Sequence, residues 1–155
     1  MGPSLDAPCA LGRAGMIDAA SKREGDGKTP VGTYSFRQVF YRADKMAEPR
    51  TILTSTPLSK ALGWCDDPVH KQYNQLVQLP FASSHEKLWR DDTLYDLVLV
   101  IGHNDAPVVP ELGSAIFVHV AKGGFLPTEG CVALERPALL ALLSLIRPGD
   151  QLMIA

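Results

Sequence analysis

Cysteine is scarce in this 155-residue chain, which has only Cys9, Cys65 and Cys131. Three thiols, an odd number, cannot build the disulfide framework of a small secreted domain, so each is read as a free thiol. A surplus of positive charge is also missing. Lysine and arginine number 15 against 17 acidic residues, a formal net charge of −2. Such a chain has no basic excess with which to displace the counterions of a nucleic acid, and nucleic acid is excluded as a partner. Long apolar runs are lacking too. The longest, residues 138–146, is interrupted by Ser144 and is far short of the ~20 residues a membrane span needs. No charged start followed by an apolar stretch opens the sequence, so no secretory signal is visible and a cytoplasmic location is expected. A periplasmic location would require a leader preceding Met1.

What is present is an ordinary globular composition, 46% hydrophobic and 21% charged. With this length it predicts one domain over residues 1–155. Thirteen glycines and twelve prolines predict many turns and short elements. Residues 1–31 read as polar and Gly-rich loop. Residues 32–41 read as a strand with Tyr34, Phe36 and Phe40 on one face and Ser35, Arg37 and Val39 on the other. A short strand is expected at 51–54, a helical turn or two at 57–63, and irregular chain over 64–84. Residues 94–102 (LYDLVLVIG) and 115–121 (AIFVHVA) are β-branched and apolar, and predict two buried strands. Loops follow at 104–113 and 122–130, then short strands at 131–134 and 151–154. Residues 137–146 form the one clear helix, with Pro137 in its first turn and Pro148-Gly149 as its stop. The fold class is mainly β with a C-terminal helix and few other short helices.

Cys131 stands out by its neighbours. Thr128-Glu129-Gly130-Cys131 places a thiol after a glycine where a loop meets a strand. A nucleophile is presented well there, and the N–H groups of Gly130 and Cys131 can face a developing oxyanion. A thiol is mostly protonated at neutral pH and needs a basic partner. His119, twelve residues earlier, supplies one if the 122–130 loop returns the chain as a hairpin beside its strand. The competing reading is a core thiol and a satisfied histidine, since free cysteine is among the most buried residue types. Cys65 lacks a glycine elbow or an adjoining histidine and is read as packing beside Trp64; Cys9 is read as incidental.

Other motifs fail on detail. Gly27-Lys28-Thr29 resembles the end of a phosphate loop, but the position needing glycine is Lys22, and Pro30 follows where a helix should continue. Paired metal-ligand spacings are absent, which leaves only a gathering of His103, His119 and Cys131 as a minor metal alternative. Asp66-Asp67 and Asp91-Asp92 face opposite ways in extended chain and read as solvated turns. His70 and His85 read as surface residues. No metal or cofactor is expected.

Ser114 through His119, followed by Pro127-Thr128-Glu129-Gly130-Cys131-Val132-Ala133-Leu134, resembles the short, single-domain branch of the L,D-transpeptidase (YkuD-type) family. So do Ala10–Arg13, Lys22–Gly32, Tyr41–Asp44, Trp64–Asp67, Tyr73-Asn74, Glu86–Arg90 and Asn104–Pro110. The resemblance implies a β-sandwich or barrel-like catalytic domain and cysteine acyl transfer at the L,D bond before the terminal D-alanine of peptidoglycan tetrapeptides. Its partners would be stem peptides or muropeptides. Carried onto this chain, Cys131 is the nucleophile, His119 the general base, and Gly130 part of the oxyanion hole. Thr128, Glu129, Asn104 and His103 would contact substrate, and Arg13, Lys22, Arg23 and Arg42 are candidate cations for its carboxylates. The pattern departs from the commoner family form. His119 precedes Val120 rather than glycine, Glu129 replaces a second histidine, and Ala133 follows where Arg or Asn is usual. Glu129 would hold a substrate amine or face solvent, and a backbone carbonyl is the simplest group to orient His119. The expected activity is hydrolytic, an L,D-carboxypeptidase of muropeptide recycling. The alternatives are a peptidoglycan-crosslinking L,D-transpeptidase and, in another class, a non-catalytic peptidoglycan-binding module. Catalysis leads to the expectation that Cys131 is the fastest of the three thiols to be alkylated at neutral pH.

Overall fold

Three strands are buried at every position, Leu97–Ile101, Phe117–Val120 and Val132–Leu134. A strand with no solvated side needs a covering layer on both faces of its sheet. The computed structural model, which describes residues 4–155, supplies both layers. In chain order the strands are β1 (Cys9–Ala10), β2 (Met16–Asp18), β3 (Thr29–Tyr41), β4 (Ser55–Pro57), β5 (Leu62–Cys65), β6 (Leu76–Gln78), β7 (His85–Lys87), β8 (Leu97–Ile101), β9 (Phe117–Val120) and β10 (Val132–Leu134). Helix α1 (Arg136–Leu145) and β11 (Gln151–Ile154) follow. The main sheet runs β1-β10-β9-β8-β3-β11, with β2 and β4 also paired to β3, and a second sheet runs β6-β5-β7. Both are open. The domain is therefore mainly β, with one α-helix near its C-terminus and a single 3-10 turn at Ala19–Ser21 among the described residues.

Each face of the main sheet has its own core. Val118, Val120, Val132 and Leu134 point to α1, whose Leu139 and Leu143, four residues apart and on one stripe, are fully buried. On the opposite face Phe40, Val98, Val100, Phe117 and Cys131 meet Trp64 of the second sheet together with Leu88 and Tyr95. Phe117 takes Trp64 and Tyr95 edge-on, with ring centroids 5.0 and 5.9 Å away. Cys131 and His119 are on this second face.

The structure corrects the sequence reading in several places. The alternation expected along 32–41 breaks at a bulge between Phe36 and Gln38. One extra residue turns the strand over, so Tyr34 and Phe36 join Val39 and Tyr41 on the helix side while Phe40 faces the second sheet. The turn of helix expected at 57–63 is absent. Leu62–Cys65 is instead the middle strand of the second sheet, paired antiparallel to both neighbours. The strand expected at 51–54 is displaced to Ser55–Pro57. The supposed loops also hold β1, β2, β6 and β7. Strands of two or three residues carry too little periodicity to be read locally, and pairing alone defines them.

The two-faced core has a measurable consequence. Leu139→Ala removes a side chain that is fully buried between α1 and the sheet, and is expected to cost about 2–5 kcal/mol in urea unfolding. Because the cavity is on the far side of the sheet, alkylation of Cys131 in the folded protein should keep its wild-type rate.

Candidate active site

β10 lies beside β9 and runs parallel to it, with Val132 opposite Val118 and Ala133 opposite His119. The hairpin expected from the sequence would have been antiparallel. A parallel neighbour requires the chain to travel back along β9 before entering β10, and residues 121–131 make that return. Extending the register places Cys131 beside Phe117, where the Phe117 N–H donates to Sγ at 3.4 Å. Side chains two apart share a face, so Cys131, Phe117 and His119 all point to the same side. His119 and Cys131 line one cavity of about 410 Å³, and the returning loop contributes Lys122 and Leu126–Glu129 to its wall.

The turn before Cys131 is held tightly. Thr128 Oγ1 accepts from the Gly130 N–H at 3.1 Å and donates to the Cys131 carbonyl at 2.7 Å. The Arg13 N–H donates to the Thr128 carbonyl, and the Thr128 N–H donates to the Leu11 carbonyl. Residues 11–13 thus strap the turn, and β1 pairs with β10 beyond it. Gly130 has φ +140°, and a Cβ there would come 3.0 Å from the Lys28 carbonyl oxygen, so glycine is required on both counts. Its expected oxyanion role is not what the turn offers, because its N–H is committed to Thr128.

His119 is buried, and Nδ1 lies 2.9 Å from the Val120 carbonyl. A carbonyl only accepts, so Nδ1 carries the proton and Nε2 is left with its lone pair. Burial pushes the imidazole pKa below its ordinary 6.5, against the opposing pull of the Val120 carbonyl. The Tyr95 ring packs edge-on against it at 5.5 Å. Burial pushes the Cys131 thiol up to about 12, with the Phe117 N–H acting the other way, and Sγ–H donates to the Ala115 carbonyl at 3.2 Å. The resting pair is a neutral thiol and a neutral imidazole. This reverses the expectation of the fastest thiol at neutral pH: Cys9 is exposed, while Cys131 is buried and protonated.

The remaining residues proposed from sequence divide sharply. Thr128 and Glu129 line the cavity, and so does Lys22. Glu129 faces solvent, where Arg13 Nε donates to it at 2.8 Å and both side chains are largely exposed. The others serve the scaffold. His103 Nε2 lies 2.9 Å from the Leu112 carbonyl, and no metal cluster with His119 and Cys131 forms among the described residues. The Asn104 side chain closes its own loop on Val109 and Gly113. The Arg23 guanidinium donates to the Ala20 and Lys22 carbonyls. Arg42 is buried, bonded to Asp44 and the Arg90 carbonyl, and stacked on Trp89 with 3.5 Å to the ring centroid. Three of the five guanidinium N–H donors are taken by these partners, and the burial of the group with its stacking on Trp89 keeps it in the scaffold rather than in the cavity wall. Sequence reasoning missed Glu24, Glu86, Arg90, Tyr95, Ser114 and Lys122 as lining residues. No local spacing marks them, since they come from separate loops and from β7, which only the packing of the two sheets gathers. Burial raises the Glu86 carboxyl pKa, although the Tyr95 hydroxyl donates to it at 2.8 Å.

The family model of the L,D-transpeptidase catalytic domain, YkuD, matches residues 2–154. The chain belongs to that family. No curated protein and no solved structure matches it. The match covers both sheets, the strap and α1, so this YkuD domain is an L,D-transpeptidase-type enzyme of a family acting on peptidoglycan peptides. None of its helices among the described residues is long and apolar enough to cross a membrane.

Two measurements follow from this geometry. The raised thiol pKa means that iodoacetamide alkylation of Cys131 should keep climbing from pH 7 to pH 10. His103 and His119 both have native pKa values lowered by burial. Below 6.5 the unfolded chain therefore takes protons that the folded one refuses, and their contribution to stability is lost as acid is added. The urea midpoint should drop between pH 7 and pH 5, and His103→Gln should flatten that slope.

Proposed function

We propose that this protein is a cysteine L,D-carboxypeptidase acting on tetrapeptides released from peptidoglycan, with Cys131 as nucleophile, His119 as base and then acid, and water as acceptor. The observation that carries the reading is the fixed tautomer of His119: Nδ1 is tied to Val120 and Nε2 is left basic on the face it shares with the Cys131 sulfur. In this reaction Sγ bonds the carbonyl carbon before the terminal D-alanine while the thiol proton passes to Nε2. The carbonyl electron pair moves to oxygen. Collapse of the oxyanion expels the D-alanine amine, which takes the proton from Nε2. A water, deprotonated by the same nitrogen, then attacks the thioester. The tripeptide leaves, and the proton returns to sulfur. Tetrapeptide and water become tripeptide and D-alanine.

Water as acceptor is supported by the size of the space. A cavity of about 410 Å³ is near the lower end for small-ligand sites, which suits one peptide end rather than a donor and an acceptor strand together. The reading carries a cytoplasmic location with it, which cell fractionation would check. The experiment that tests the activity is incubation with a disaccharide tetrapeptide, with and without added D-amino acid, followed by mass analysis. Loss of alanine alone is expected. Exchange of the terminal residue would establish crosslinking-type transfer instead, and no change would leave a binding module. Cys131→Ala should abolish the reaction, and His119→Asn should slow it by about 10²–10⁴-fold.

A further inference from the structure

Attack on a carbonyl builds negative charge on its oxygen, and the turn before Cys131 has lost one of its two expected donors, the Gly130 N–H, to Thr128. A second feature of the cavity meets that need. Lys22 is 2% exposed, yet it lines the cavity with Cys131 and His119. Its stem is packed in place: a Cβ on Gly113 would lie 3.1 Å from Lys22 Cγ and Cε. Its Nζ reaches the nucleophile turn, 3.7 Å from where a Cβ on Gly130 would sit.

Burying an ammonium costs several kcal/mol unless it is paired. Asp26 pairs it, and the Arg23 carbonyl accepts a second bond at 3.1 Å. The Asp26 carboxylate is itself held by the Arg23 and Lys28 N–H groups, so the ammonium is anchored to a rigid loop. An ammonium has three donors, and the described residues take two. A lysine that served only to close the 22–28 loop would have no reason to direct its head group at the residue preceding a nucleophile. Its positive charge also favours the Cys131 thiolate, consistent with proximity to the reacting sulfur.

We infer that Lys22 is a catalytic residue whose free N–H donates to the oxyanion formed when Cys131 adds to a carbonyl. It stays protonated throughout: the Sγ–C bond forms, the thiol proton goes to His119 Nε2, the carbonyl electron pair goes to oxygen, and Lys22 stabilises that oxygen with its charge and one hydrogen bond. The inference rests on acyl transfer at Cys131 as proposed above, but not on the identity of the peptide.

The test contrasts two reactions of the same sulfur. Acylation by p-nitrophenyl acetate passes through an oxyanion; alkylation by iodoacetamide does not. Both are mapped to Cys131 by peptide mass, with Cys131→Ala as background. Lys22→Met leaves Asp26 unpaired and risks unfolding, so Lys22→Met with Asp26→Asn, which removes both charges, is measured beside it, with folding checked by thermal melting. Removing an oxyanion donor is expected to slow acylation about 100-fold while alkylation stays within about threefold of wild type. Equal slowing of both reactions, or acylation at the wild-type rate in a folded variant, would overturn the inference. If wild type leaves the tetrapeptide intact while the ester contrast persists, the substrate reading fails and the role of Lys22 stands.

Discussion

Parallel pairing of β10 with β9 is the constraint on which the site depends. In that arrangement residues in register share a face, so placing Ala133 opposite His119 puts Cys131 on the same side. A parallel neighbour cannot be reached by a tight turn. The chain must return along the strand, and the returning loop becomes a wall of the cavity. That long loop would leave the nucleophile poorly placed if nothing held its end. Residues 11–13 bond both sides of Thr128, and Thr128 in turn bonds Gly130 and Cys131. Position at the sulfur is therefore set by backbone hydrogen bonds from the far end of the sequence.

The sheet separates stability from chemistry. One face is closed by α1 over a continuous, mostly aliphatic core that also takes in Tyr34 and Tyr41. The other carries aromatic rings, the thiol and the imidazole beneath the second sheet. Burial on that face has an electrostatic result: it opposes charge on both partners, so the thiol rests protonated and the imidazole neutral. In the reaction proposed above, proton transfer between them is coupled to bond formation with substrate rather than completed beforehand, and charge appears only when an electrophile arrives. In the same proposal, fixed dipoles and a buried ammonium around the cavity act on charge that develops in the reaction, the circumstance in which preorganised groups contribute most.

The polar residues that turned out to be scaffold show why residue type is a poor guide to a site. His103, Asn104 and Arg42 have the chemistry of ligand-binding side chains. Each instead satisfies backbone carbonyls or a neighbouring carboxylate in irregular chain, where the main chain has no ladder to bond to. Asp96 is similar, buried just before β8 and held by Lys45 and by Arg136 at the start of α1. A domain with this much loop needs such groups for its own closure, and they cannot be told from functional ones by composition.

Much was legible without a fold. LVLVI and FVHV are apolar and β-branched on both sides, so they had to be buried strands. The leucine-rich stretch between Pro137 and Pro148 had to be a helix, and Gly130-Cys131 with His119 stood out as the candidate pair that the fold brings to one cavity. These are properties of local periodicity, backbone freedom and intrinsic chemistry, which the chain carries in any conformation. The packed molecule alone decided the rest. The direction of β10, the bulge that reverses β3, the two- and three-residue strands, and the neutral state of the dyad all depend on contacts between distant segments and on the low polarity that those contacts create. So does the arrival of Lys22 at the nucleophile turn across more than a hundred residues of sequence, which no spacing rule encodes because it exists only once the two sheets have closed around it.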